Sequence, residues 1–231
     1  MLVRVAPFLV FVGLTSCQGA FGEASRYWFY LIKTFAGAGM VWAIWPRISE
    51  MRWRASWDAI LVGVVVFLIW VGLDGRYPSA DSMFKTILCP LLKPLGFEKW
   101  CSVSAKAVPW NPHAQFGFAL AWVFAIVRLL GSVVVVPPLE EVFYRSFLYR
   151  FIARQDFQAM PLNQFRLGPF LIAAAIFGFS HYEWLPGILC GMLYHGLVLR
   201  HNRLGEAMTA HAVTNFLLGL WVISRSAWHF W

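Results

Sequence analysis

Seven apolar runs fill most of this 231-residue chain, near residues 5–22, 27–45, 57–73, 116–137, 168–183, 185–200 and 205–224. Each is close to the roughly 20 residues that a helix needs to cross a bilayer, and short loops separate most of them. A backbone in hydrocarbon must satisfy its own hydrogen bonds, so repeated runs of this length fold as helices. The expected architecture is all-α: a polytopic transmembrane helical bundle of about seven spans, forming one integral membrane domain over 1–231. The run at 185–200 is short and is expected to tilt less or to sit partly inside the bundle. A chain that is 60% hydrophobic and 13% charged, with mean hydropathy +0.63, is too apolar for an ordinary soluble domain.

The charges that remain are informative by position. The formal net charge of +8 is scattered through short loops, which reads as an orientation signal and not as a nucleic-acid surface. With the N-terminus inside, the inner segments hold Arg4, Arg47, Arg52, Arg54, Arg145, Arg150, Arg154, Arg166, Arg200 and Arg203, whereas the short outer segments hold Arg26 and Arg225. The expected partners are therefore the lipid bilayer and membrane-associated proteins, with no nucleic acid. Residues 74–115 form a Pro- and Gly-rich extramembrane loop with room for one short amphipathic helix. Cys89 and Cys101 share that loop and could pair in an oxidising compartment, while Cys17 and Cys190 read as small hydrophobes. Leu14-Thr15-Ser16-Cys17 also has the look of a lipoprotein cleavage box, but Arg4 alone is a thin basic region and the segment is read as a span.

Against this background Pro137–Arg150 stands out, because it carries Glu140, Glu141 and Arg145 among apolar neighbours. Ionisable groups within a membrane are costly and mark functional sites by default. On a helix Glu141 and Arg145 share a face and can pair, while Glu140 points about 100° away and is left free. Pro137-Pro138 is expected to end the fourth span, so that a short acidic helix starts afresh near the inner face. That expectation sits awkwardly with His181, which lies about 18 Å along the fifth span at 1.5 Å per residue.

His181 ends one apolar helix, after Phe177, and His211 and Asn215 share a face of the last helix four residues apart. His195 and His201 lack patterned partners and read as hydrogen-bonded packing residues. Gly187, Gly191 and Tyr194 form a stripe suited to close helix contact. Convergence of Glu140, His181, His211 and Asn215 would give a legible chemistry. A partly desolvated glutamate is a usable general base, a histidine can hold a water, and a histidine with an amide can stabilise an oxyanion. Glu140, His181 and His211 could instead ligate zinc with one position open for water. Ser180 and His181 are sequence neighbours that a helix would splay apart, which disfavours a serine protease. A non-hydrolytic scaffold, immunity or transport protein is the alternative of a different class.

Glu140-Glu141-x-x-x-Arg145, Phe177-x-x-x-His181 and His211-x-x-x-Asn215, in that order within about 75 residues, resemble the three motifs of the CPBP family, which includes the type II CAAX prenyl proteases and bacteriocin-processing membrane proteins. The resemblance covers roughly the last 95 residues, with a motif-bearing core at 116–225. It implies an intramembrane endopeptidase that needs no cofactor, with zinc as the competing version. Glu140 and His181 would activate water, His211 and Asn215 would form the oxyanion hole, and Glu141 and Arg145 would support them. It also implies a cavity open toward the cytoplasmic side. The N-terminal part, including Ile69–Asp74, resembles a bacterial subgroup associated with exosortase-type sorting, which implies a bacterial inner membrane.

Overall fold

The computed structural model describes residues 1–97 and 108–231, which are 76% helical and contain no strand. Cys101, and with it the question of a Cys89–Cys101 pair, lies outside the described residues. Each apolar run is a helix: α1 Leu2–Ser16, α2 Ser25–Ile44, α3 Trp57–Leu73, α4 Phe118–Ala153, α5 Leu167–Phe179, α6 Trp184–His201 and α7 Gly205–Arg225. Two of them, α4 and α7, are long and apolar enough to cross a membrane by themselves; α1, α3 and α5 are shorter apolar helices. Short helical turns occupy Ala80 to Leu95 in the loop, where the sequence left room for one helix.

The acidic helix does not start afresh. Pro137 and Pro138 lie inside α4, which runs unbroken for 36 residues, or about 54 Å at 1.5 Å per residue. Proline normally breaks a helix because it lacks an N–H and crowds the carbonyl four residues back. Here a wide π turn at Gly131–Val135 precedes the prolines, and a second follows at Val142–Leu148. Such turns relax the backbone at the point of conflict and let the helix continue. Glu140 and Glu141 therefore sit between two π turns deep in the longest helix. This continuity also removes the misfit with His181.

Close helix contacts fall where glycines allow them. A Cβ at Gly187 would stand 2.8 Å from the Gly178 Cα, and one at Gly63 would stand 2.6 Å from the Ala210 carbonyl oxygen. These contacts pull α6 onto α5 and α3 onto α7, each pair carrying part of the site.

One end of the bundle is knotted by charge. Glu50, after α2, pairs with Arg150 at 2.8 Å and Arg4 at 3.4 Å, and accepts from Ser146. Its carbonyl accepts from Leu204 N, between α6 and α7. His201 contacts Asp58 at 2.7 Å, and Arg203 forks onto Glu206. Buried Ile48, Met51, Val142, Tyr144 and Leu204 close the core below this layer. The opposite end carries the α1–α2 loop and residues 108–115, which are anchored by the fully buried Trp110 against Tyr27 and Tyr30.

Candidate active site

A cavity of about 450 Å³ lies inside the bundle, lined by Glu140, His181, His211 and Asn215 together with Phe177, Tyr194 and Trp70. The four side chains come from α4, the end of α5 and α7. Three sequence-distant motifs thus open onto one space, within the size range of small-ligand pockets.

The two glutamates divide as helical geometry dictates. Glu141 is fully buried and pairs with the buried Arg145, Oε2 to Nε at 3.1 Å. The Arg145 guanidinium also lies over the Phe177 ring at 4.5 Å. Glu140 points into the cavity, with its side chain 14% exposed. Its Oε2 is buried and has no hydrogen-bond partner among the described residues. A buried carboxylate oxygen left unpaired is costly unless a water or a ligand meets it.

His211 is held on two sides. Its Nδ1 lies 3.0 Å from Glu141 Oε1, and its ring stacks on Tyr194 at 5.1 Å between centroids. Tyr194 is itself fixed by donating to Thr214 Oγ1 at 2.7 Å. A carboxylate only accepts, so Nδ1 carries the proton and Nε2 faces Glu140 at 3.9 Å. Nε2 can then donate only when the ring is an imidazolium. The hydrogen bond from His211 to Glu141 was not legible in the sequence.

Asn215 is set by the diproline. Val136 N bonds to the Gly131 carbonyl, five residues back. In the same π register the Ser132 carbonyl would need an N–H from Pro137, which has none. Asn215 Nδ2 takes that carbonyl instead, at 2.7 Å. One amide hydrogen is thereby anchored and the other remains available to the cavity.

His181 lies just beyond α5, where the chain leaves the helix at Ser180. Its Nδ1 is 2.7 Å from the Phe177 carbonyl oxygen, and Trp70 meets its ring edge-on at 5.7 Å. Nδ1–H donates to that carbonyl, so Nε2 is a free acceptor. Leaving the helix also brings Ser180 Oγ to 3.2 Å from His181 Nδ1, closer than helical spacing predicts. Ser180 nevertheless donates to the same Phe177 carbonyl at 2.7 Å and accepts from the Tyr144 hydroxyl at 3.1 Å. A protonated Nδ1 cannot take its proton, so the pair is not an activated nucleophile.

The remaining polar groups behave as packing residues. His195 is buried against Tyr149 and Phe170, and His201 ties α6 to Asp58 at the start of α3. Among the described residues no group of three His, Cys, Asp or Glu side chains is arranged to hold a metal ion. Glu140, His181 and His211, the set expected for zinc, do not form such a group. Sequence reading missed two cations on the cavity wall, Lys33 of α2 and Arg128 of α4.

Residues 121–217 match the family model described as Type II CAAX prenyl endopeptidase Rce1-like. That segment is similar to the type II CAAX prenyl proteases whose motifs the sequence resembles. The match spans a little under half of the chain and contains all three motifs, and this is a membrane-embedded protease family. No curated protein and no solved structure matches the chain.

Proposed function

We propose that the protein is an intramembrane endopeptidase that hydrolyses a peptide bond with water activated by Glu140. The observation that carries this reading is the single cavity shared by Glu140, His181, His211 and Asn215, within a segment matching a protease family. In the proposed cycle a water donates one hydrogen to Glu140 and the other to His181 Nε2. Its oxygen attacks the scissile carbonyl carbon as its proton passes to Glu140. The resulting oxyanion accepts from the imidazolium Nε2–H of His211 and from the second amide hydrogen of Asn215. Glu141 holds the His211 ring and balances its charge, and Arg145 neutralises Glu141. Collapse expels the amine, which takes the proton from Glu140.

This cycle uses side chains alone, and the lack of a three-ligand cluster favours it over the zinc version. The substrate is a membrane-associated protein or peptide. The prenyl specificity in the matched family's name is not carried over, and the bacterial exosortase-associated subgroup remains the narrower assignment we favour from Ile69–Asp74. Trp70 of that stretch packs on His181, which gives it a place in the site. The test is a quantitative comparison of new N-termini in membranes containing wild type or Glu140→Gln. The reading expects a precursor that stays uncut only in the variant; identical termini in both would reject it.

A further inference from the structure

The cavity does not end at the catalytic cluster. Its lining continues past Ser132 to Lys33 and Arg128. A second pocket shares Thr15, Lys33, Arg128 and Trp231 with it and reaches Gln18, Gly19, Arg26 and Glu23 at the α1–α2 loop, where Glu23 accepts from Gln115. The passage therefore leads away from the Glu50 network and toward the other end of the bundle. The resemblance implied an opening on the arginine-rich inner side, but this lining runs to the end with fewer arginines.

Two cations stand along this passage. Lys33 is 6% exposed, and the one hydrogen bond it donates goes to Thr15 Oγ1 at 3.0 Å. Its ammonium lies over the rings of Phe11 and Tyr30 at 4.7 and 4.5 Å. Arg128 lies over Tyr30, Trp110 and Trp231 at 4.5, 4.5 and 5.5 Å, and among the described residues no acceptor takes its guanidinium hydrogens. Among the described residues neither cation has an ion-pair partner, whereas Arg4, Arg145, Arg150 and Arg203 all do. Ring faces stabilise a cation but use none of its N–H donors. Two basic groups held this way on one cavity wall, which Glu140 also lines, leave N–H donors that an entering anion can take up.

We propose that Lys33 and Arg128 form an anion subsite that takes a carboxylate of the peptide substrate, offset along the passage from the bond cleaved. The inference rests on the endopeptidase reading, because it uses the shared cavity to relate subsite to catalytic group. The carboxylate can be a free C-terminus or an acidic side chain. In either case it selects the segment that enters and sets its register against Glu140.

The experiment uses the full-length Glu140→Gln protein in detergent and three degenerate pools of short peptides. One pool has a free C-terminus and no acidic residue. The second is amidated and carries one Asp, and the third is amidated without any acid. Retained peptides are counted by mass spectrometry. The expected result is retention of an acid-bearing pool about tenfold above the neutral pool, since a charge-assisted hydrogen bond is worth about 1.5–3 kcal/mol and each 1.4 kcal/mol is tenfold. Adding Arg128→Gln or Lys33→Gln removes the difference, and Arg128→Lys, a safer fold control, keeps part of it. Whichever acid-bearing pool is retained identifies the source of the carboxylate. Equal retention of all three pools, or retention unchanged by the cation variants, overturns the subsite. A phospholipid that copurifies with Glu140→Gln and is lost with Arg128→Gln, while peptide retention is unchanged, also overturns it in favour of a lipid phosphate. Cleavage of all three pools at equal rates by wild type, and of none by Glu140→Gln, would leave the endopeptidase reading standing while the subsite fell. Cleavage of every pool by wild type and Glu140→Gln alike would instead remove the endopeptidase reading.

Discussion

Adjacent glutamates in one helix have opposite fates here. Glu141 is fully buried between Arg145 and His211, and Glu140 meets open space with an unpartnered oxygen. That division was legible because i and i+4 share a helical face and i+1 does not. What could not be read was that His211 spans from α7 to Glu141, since no local periodicity encodes a contact across 70 residues. The division predicts different costs for the same substitution. Glu141→Gln leaves Arg145 buried without its counter-ion and should destabilise the protein by about 3–5 kcal/mol. Glu140→Gln should leave the midpoint near wild type. Denaturant unfolding of both variants in one detergent checks this, and equal loss in both would contradict the assignment.

At the scale of elements, the seven helices were legible because hydrophobic runs of span length leave the backbone few alternatives. The continuity of α4 was not, because proline rules describe regular helix and a π turn escapes them. The diproline is better understood as a device that frees the Ser132 carbonyl for Asn215. Pro137→Ala restores an N–H that competes for the carbonyls of this turn, and so loosens Asn215. The prediction is a fall in kcat of roughly tenfold or more, within the range for weakening an oxyanion-hole donor. Because alanine suits a helix, the thermal midpoint should hold or rise. Steady-state kinetics and thermal unfolding on the same preparation separate the two effects; a lower midpoint with unchanged kcat would refute the role.

For the whole molecule, charge is segregated by function. The Glu50 network fastens the ends of α1 and α4 and the α6–α7 turn at one end, the groups proposed as catalytic lie further in, and Lys33 and Arg128 line the passage to the other end. The sequence showed the arginine-rich segments but not their partners, and Lys33 and Arg128 carry no motif that would have flagged them. Glu50 should therefore matter for stability and not for chemistry. Glu50→Ala is expected to cost about 2 kcal/mol, less than the ~3–5 of a fully buried pair because Glu50 is partly exposed. Denaturant unfolding of Glu50→Ala measures that loss, and its kcat under folded conditions should match wild type.

The central claim is that Glu140 supplies the base for hydrolysis without help from a metal. The most direct measurement is the single-turnover cleavage rate of the accumulated precursor by purified wild type and Glu140→Gln in metal-stripped buffer. The account predicts full wild-type activity there and a loss of about 10²–10⁴-fold in the variant, the range of general-base catalysis. A variant that still cleaves at the wild-type rate, or a wild type that stops when stripped and recovers with zinc, would contradict it.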